Sequence, residues 1–355
     1  MQIDHVVTPG EIFSDYAYFS SFSDSWLDHA RIYADRMVTE LGLGQHSRVV
    51  EIASNDGYLL RNFAERGIPV LGIEPARNVA AAAIDSGIPT EVAFLGRATA
   101  ERLRAEGLEA DLLIGNNVLA HVPDLNDFVA GMAILLAPDG TLTLEFPHVL
   151  RLIEESQFDT IYHEHFSYLS LMAVRAVVLR HGLIVTSVEQ LTTHGGSLRV
   201  FVRHQETNTP VDGSVVELDE LEHTHALGEL ATYKSLGAQA ERVKHELLEF
   251  LSSARTAGER VVAYGAPAKG NTLLNYVGVD TDSIAYTVDR SPHKQGLFLP
   301  GSRLPIHSPK RILEDRPEYV LLLPWNLRDE IASQMSAIRE WGGRFVIPIP
   351  RVTVF

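Results

Sequence analysis

Two stretches of this chain carry the same rhythm, and that duplication narrows the fold more than any other feature. Residues 47–76, SRVVEIASNDGYLLRNFAERGIPVLGIEPA, read as a short apolar strand, a turn of small and polar residues, a helix and a second strand. Residues 260–278, RVVAYGAPAKGNTLLNYVG, repeat the strand, the small-residue turn and the helix, and Arg260-Val261-Val262 echoes Arg48-Val49-Val50. Strands that alternate with helices require a parallel sheet covered on both faces. The expected fold class is therefore α/β, with two Rossmann-like doubly wound domains joined by a helical connection. A chain of 355 residues exceeds one ordinary domain. The expected division is an aromatic segment over residues 1–24 covering the active site, a first α/β domain over 25–212, a helical connection over 213–257 and a second Rossmann-like domain over 258–355.

The first strand is expected over Arg48–Ile52, the turn over Ala53–Gly57, the helix over Tyr58–Arg66 and the second strand over Val70–Ile73, ending on Glu74. Small residues in such a turn let a ligand approach the backbone, and an acid about twenty residues on can take the two hydroxyls of an adenosine ribose. The candidate nucleoside contacts are Glu51, Ala53, Ser54, Asn55, Asp56, Gly57, Tyr58, Glu74 and Pro75. A third strand over 111–117, DLLIGNN, adds Asn116 and Asn117 at its carboxyl end, where open α/β sheets place ligands. A dinucleotide enzyme would carry G-x-G-x-x-G so that a helix start faces a pyrophosphate. Here the turn is Ala-Ser-Asn-Asp-Gly, with one glycine and an acid, which suits the cationic end of S-adenosylmethionine (SAM) better than a pyrophosphate. A nicotinamide cofactor is the weaker alternative.

The densest chemistry lies at Phe158–Ser170, FDTIYHEHFSYLS, where Asp159, Tyr162, His163, Glu164, His165 and Tyr168 fall together. Carbon–carbon bond formation needs a proton to leave first, and His165 is a base that needs no unusual tuning, since an imidazole titrates near ~6.5. Glu164 or Tyr162 would orient it or stabilise an enolate oxygen. The HEH triplet as a metal site is the lesser reading, because the helical H-E-x-x-H spacing and an evident third ligand are both missing. The cluster follows a strand expected over Thr141–Phe146, so it should hang over the carboxyl ends of the sheet, beside the cofactor. His121, in VLAHVPD, reads by spacing alone as a hydrogen-bonded surface histidine.

Composition bounds the partners. The 30 basic against 46 acidic residues give a formal charge of −16, which disfavours nucleic acid and anionic lipid. Without cysteine there is no disulfide, thiolate zinc site or cysteine nucleophile. No basic-then-apolar leader opens MQIDHVVTPGEIF and no apolar run reaches membrane length, so the cytoplasm is the expected address and a monomer or weak homo-oligomer the expected state. Other expected elements are a helix over 25–43, a helix over 124–136, an APDG turn, a hairpin over 183–203 about the turn His194–Gly196, charged helix over 217–257 and strands over 283–288 and 319–323. In the second half, Lys269 and Asn271 could hold a phosphate, or Lys269 could simply be solvated. Arg290, Lys294 and Trp325 would add charge and a stacking surface at equivalent strand ends. Arg199 reads as a strand residue, or less readily as a phosphate ligand.

The blocks DYAYFSS, VEIASNDGYLL, GNNVLAHVPD, FDTIYHEHFSYLS, THGGSLRVFV and YGAPAKGNTLLNYVG together resemble the NDP-sugar C-methyltransferases of deoxysugar and antibiotic biosynthesis, which methylate carbon 3 of a dTDP-linked 4-keto-deoxyhexose. The resemblance runs from about Asp15 to the C-terminus. It implies a SAM-binding first domain, no metal in this chain and a nucleotide-sugar on the second domain. It further implies His165 as base supported by Glu164 and Tyr162, and His121 and Tyr16, in preference to Tyr18, in the pocket; read beside it, Tyr18, His194, Arg199, Lys269, Asn271, Arg290, Lys294 and Trp325 are the candidate substrate contacts. Such proteins usually begin with a cysteine-rich zinc domain, and this chain starts about where that domain would end. The implied mechanism has His165 take the proton beside the 4-keto group, the Tyr162 or His121 side stabilise the enolate oxygen, and carbon attack the sulfonium methyl. A SAM enzyme acting on another ketone, a nicotinamide-dependent sugar oxidoreductase and a non-catalytic nucleotide-sugar binding protein are the rival readings.

Overall fold

The computed structural model describes residues 1–4, 7–13, 20–22 and 24–355, so Tyr16 and Tyr18 lie outside the described residues. The chain forms two compact units. The first comprises Met1–Val149, His163–Thr192 and Gly196–Thr224. Its strands are β1 (Val49–Ile52), β2 (Val70–Ile73), β3 (Thr90–Glu91), β4 (Ala110–Asn116), β5 (Leu136–Pro147), β6 (Leu183–Leu191) and β7 (Ser197–His204), in the sheet order β3-β2-β1-β4-β5-β7-β6. All pairs are parallel except those of β7, which runs against both β5 and β6.

Strand alternation explains why both faces of this sheet are dry. Val50 and Ile52 of β1 and Leu113 of β4 point into one apolar cluster, while Val49, Leu112 and Ile114 point into the other. On the second face the helix Asp24–Leu41 buries Ala30, Tyr33, Ala34 and Met37, a stripe at helical spacing. On the first lies the helix Leu125–Leu135, whose start is capped by the Asp124 carboxylate accepting from the amides of Asn126 and Asp127. The expected APDG turn does not reverse the chain. Residues 137–140 bulge out of β5 between the pairs Ala110↔Leu136 and Leu112↔Thr141, and the strand carries on past them.

The second unit comprises Leu150–Tyr162, Thr193–Gly195 and His225–Phe355. Its strands are β8 (Val261–Tyr264), β9 (Thr287–Val288), β10 (Ile306–His307), β11 (Tyr319–Leu322), β12 (Arg344–Ile347) and β13 (Thr353–Val354), in the order β10-β9-β8-β11-β12-β13 with only β13 antiparallel. Five strands in the order third, second, first, fourth, fifth, followed by a reversed one, appear in both units, which are two Rossmann-like α/β folds. The stretch expected as one connection is two helices. Gly213–Thr224 falls in the first unit, and Leu230–Ala257 in the second, burying Leu236, Ala240, Val243, Leu247 and Leu251 before Gly258 ends it in the left-handed region. The strand expected over 283–288 shrinks to Thr287–Val288, because Ser283 and Ile284 donate to Asp280 in a turn.

One carboxylate on Gly213–Thr224 positions the segment that carries the histidines. Glu222 is fully buried, accepts from the amides of Leu171 at 2.5 Å and Met172 at 2.9 Å, and meets His148 Nε2 at 2.8 Å. It thereby satisfies the first turn of the helix Leu171–Leu179, which directly follows the histidine-rich stretch. Replacing Glu222 by Gln puts an amide donor among donors, and the expected loss is about 1–3 kcal/mol of unfolding free energy. Urea unfolding of Glu222→Gln at neutral pH checks it; an unchanged midpoint would contradict this account.

Candidate functional site

At the carboxyl end of β1 the turn is held open by backbone that ordinary residues avoid. Ala53, Asn55 and Gly57 take φ of 55°, 50° and 76°, so left-handed conformations recur along the turn although glycine supplies only one. The strain is tied down by hydrogen bonds. Ala53 donates its amide to the Ile73 carbonyl at 2.7 Å, and Asn55 donates to Glu74 Oε2 at 3.0 Å, while Glu74 Oε1 accepts from Ala76 at 2.8 Å. Gly57 cannot be enlarged, since a Cβ there would lie 2.9 Å from Ile88 Cγ1. Two residues of the N-terminal segment sit on this turn, Ser20 donating its amide to Asn55 Oδ1 at 2.8 Å and Ser21 to Asp56 Oδ2 at 3.3 Å.

Three carboxyl groups converge here. Burial, and then the charges of Glu74 and Asp56, hold Glu51 well above the usual carboxylate range; burial raises Glu74 too, against the two amides that favour its charged form. Among the described residues, five buried oxygens here have no hydrogen-bond partner: Glu51 Oε2, Ser54 Oγ, Asp56 Oδ1, Asn116 Oδ1 and Asn117 Oδ1. That set is acceptor-rich and acidic. It fits the ammonium and sulfonium end of SAM, and it would oppose a pyrophosphate. Asn117 is itself left-handed, at φ 53°, and donates its amide to the Glu145 carbonyl. Beside Pro75, a cavity of about 270 Å³ is lined by Gly10, Phe13, Arg77, Val92, Ala93 and Phe94. Val92 and Phe94 are large apolar residues left exposed there. Sequence reasoning missed this wall, because β3 is two residues long and carries no periodic signal.

The histidines gather past the end of β4. Phe166 and Ser167 both donate their amides to the Ala120 carbonyl, in the short 3-10 turn Leu119–His121, which seats His165 over that turn. The His121 and His165 rings meet edge to face at 4.8 Å, with Tyr168 6.2 Å from His165 and Phe13 5.6 Å from His121. His121 Nδ1 lies 2.9 Å from the Glu164 carbonyl oxygen. A carbonyl can only accept, so Nδ1 carries the hydrogen. Burial pushes this imidazole down to about 4, leaving it neutral with Nε2 as an acceptor. The expectation that His121 might donate to an enolate oxygen is therefore corrected, since its one N–H is committed to the backbone. It is hydrogen-bonded, as its spacing suggested, but to a backbone carbonyl and packed against the His165 and Phe13 rings.

Arg199 is likewise corrected. On β7 it is buried, 4% exposed, and its guanidinium donates to Glu145 Oε2 at 2.7 Å while lying 4.6 Å from the Tyr33 ring centroid and 3.6 Å from Glu189. Its charge is spent inside the first unit, so it has none to offer a substrate phosphate.

In the second unit the predicted residues separate into two groups. Lys269 lies 4.2 Å over the Trp325 ring and donates to Asn326 Oδ1, and Trp325 Nε1 donates to the fully buried Asp159 Oδ2 at 2.8 Å. Burial lowers Lys269 to about 8, against the nearby Asp159, and raises Asp159 to about 6. Gly195 packs so closely that an added Cβ would lie 2.8 Å from the indole, and His194 before it is exposed at φ 53°. Trp325, expected as an open stacking surface, is buried and already engaged on one face by a cation. Lys294 instead donates to the Ala266 carbonyl at 3.0 Å, near Asp289, while Arg290 is exposed and Asn271 Oδ1 is buried without a partner.

Comparison with known proteins places this chain among methyl-transfer enzymes. Residues 26–188 match the methyltransferase domain family and residues 192–350 the C-methyltransferase C-terminal domain family. C-methyltransferase NovU of Streptomyces niveus is 37% identical over 354 residues, covering 100% of this chain and 84% of that protein. A ubiquinone biosynthesis O-methyltransferase of Bartonella tribocorum is 29% identical over 96 residues, 27% of this chain and 39% of its own. Among solved structures, a SAM-dependent methyltransferase from Mesorhizobium loti matches with a TM-score of 0.40 at 17% identity, over 50% of this chain and 100% of that one.

The buried Asp159 generates a pH signature. Its carboxyl binds a proton more tightly folded, near 6, than at its ordinary value of 3.8, so between those values the unfolded chain releases a proton that the native one keeps. Stability relative to Asp159→Asn should fall by up to about 1.4 kcal/mol per pH unit from pH ~4 to ~6 and then level off. Urea unfolding of both proteins across that range measures it, and a constant difference would reject the assignment.

Proposed function

This chain belongs to the SAM-dependent C-methyltransferases, and we propose that it methylates carbon 3 of a dTDP-linked 4-keto-deoxysugar. The observation that carries the reading is the His165 and His121 pair seated past β4, on the same strand end whose Asn116 and Asn117 oxygens are buried without protein partners. SAM supplies an electrophilic methyl group on a cationic sulfur. In this reading Glu51, Asp56 and the 53–57 turn hold its amino-acid end, Ser54, Tyr58, Asn116 and Asn117 complete the pocket, and Glu74 with Pro75 receives the adenosine. Each oxygen of Glu74 already accepts one amide and keeps a lone pair for a ribose hydroxyl.

His165 acts as the general base on the carbon beside the keto group, whose C–H is acidified because the carbanion delocalises onto oxygen. Tyr162, three residues earlier in the chain, carries a phenol that can donate to that oxygen. Neutral His121 serves differently: its Nε2 accepts, which suits a hydroxyl of the sugar. Glu164 contributes its carbonyl to fix the His121 tautomer. Tyr16 and Tyr18 keep the roles that the family resemblance implies, and the described residues on either side, Phe13 and Ser20, both reach the cofactor cleft. The nucleotide-sugar is assigned to the second unit, with Lys269, Asn271, Arg290, Lys294 and His194 as its candidate contacts.

His165→Ala should lower methyl transfer by about 10²–10⁴ and leave SAM affinity within twofold. It should also abolish exchange of the substrate's carbon 3 hydrogen with D2O, which follows the base alone. Retained exchange would remove His165 from the role. Glu74→Ala should weaken SAM by about tenfold or more in calorimetry, because two hydroxyls lose a charged acceptor.

A further inference from the structure

The two units share more than a strand order. In the first, Ala53 after β1 is left-handed and donates to the Ile73 carbonyl at the end of β2; in the second, Gly265 after β8 is left-handed and donates to the Val288 carbonyl at the end of β9, at 2.6 Å. The next residue is an acid in both. Glu74 donates its amide to the Glu91 carbonyl of β3 at 3.0 Å, and Asp289 donates its amide to the His307 carbonyl of β10 at 3.0 Å. The carboxylates then make the same pair of contacts. Glu74 takes the amide of the turn residue Asn55 and that of Ala76, two residues on; Asp289 takes the amide of the turn residue Ala266 at 2.8 Å and that of Ser291, two residues on, at 2.8 Å.

We propose that Asp289 is a second nucleoside-binding carboxylate, which accepts a pentose hydroxyl of a nucleoside diphosphate held at the β8 and β9 strand ends of the second unit. Each Asp289 oxygen has one amide donor and retains a lone pair, and the side chain is 16% exposed, so a hydroxyl can reach it. Lys294, 3.8 Å away, offsets its charge without occupying either oxygen at hydrogen-bond distance. The turn is shaped for close approach. Gly265 sits at φ 91°, and Gly270 packs so tightly on Leu323 that a Cβ would lie 2.7 Å from it, which brings the helix Ala268–Val277 against the strand end. A carboxylate serving only to tie the turn would do so equally well with no ligand hydroxyl present, and that difference is measurable.

This inference rests on the nucleotide-sugar reading above, and its test separates the two. Calorimetry on the full chain saturated with SAM would compare dTDP, which has a 3′-hydroxyl, with 2′,3′-dideoxy-TDP, which lacks it, for wild type and Asp289→Asn. The expected result is that wild type binds dTDP about tenfold or more tightly than the dideoxy nucleotide, and that Asp289→Asn binds both alike at the weaker level. The comparison of ligands on wild type needs no variant, so a poorly folded Asp289→Asn would not blunt it. Equal affinities on wild type, or a preference that persists in Asp289→Asn, would overturn the role of Asp289 while leaving the nucleotide-sugar reading intact. Failure of wild type to bind either nucleotide would overturn both.

Discussion

A carboxylate that clasps the turn after the first strand, buried at Glu74 and part-buried at Asp289, is the interaction on which the turn of each unit depends. A turn that runs through left-handed backbone at Ala53, Asn55 and Gly57 is not a conformation the chain would hold unaided. Glu74 takes the Asn55 amide, and the Ile73 carbonyl takes that of Ala53, so the second strand locks the turn of the first. Parallel strands make this possible. Adjacent carboxyl ends lie side by side, and a residue just past one strand reaches the loop past its neighbour. Asp289 repeats the device in the second unit.

The same economy of placement concentrates acid where it is costly. Glu51, Asp56 and Glu74 gather at the adjacent ends of β1 and β2; burial opposes the ionisation of Glu51 and of Glu74, and the charges of Glu74 and Asp56 oppose it further at Glu51. A cationic ligand bound there would relieve the repulsion at Glu51, and an anionic one would add to it. Elsewhere buried charge is neutralised internally. Arg199 is paired with Glu145. Residues of one chemical type thus serve ligand or framework according to what surrounds them.

Much of the first unit was legible because its elements are long or punctuated. The apolar run Val49–Ile52, the acid Glu74 and the polar end Asn116-Asn117 lie where the strand, turn and helix rhythm placed them. Strands of two residues such as β3, β10 and β13 carry too little period to be read, and with β3 went the Val92 to Phe94 wall of the cavity beside Pro75. The APDG segment carries turn chemistry but bulges instead, because β4 continues to pair with β5 on either side of it. Arg199 and Trp325 looked available because their partners, Glu145 and Asp159, are 54 and 166 residues away in the chain.

By itself the sequence determined the fold class, the repeated strand-turn-helix blocks and the residue types collected at each strand end, since these follow from local periodicity and from neighbours a few positions apart. Only tertiary structure decided which charges were spent and which remained to act. The tautomer of His121 shows why: it depends on a carbonyl 43 residues further along, and on burial that no local pattern encodes. Protonation and pairing are set by what packs around a group, and packing joins residues that the linear chain keeps apart.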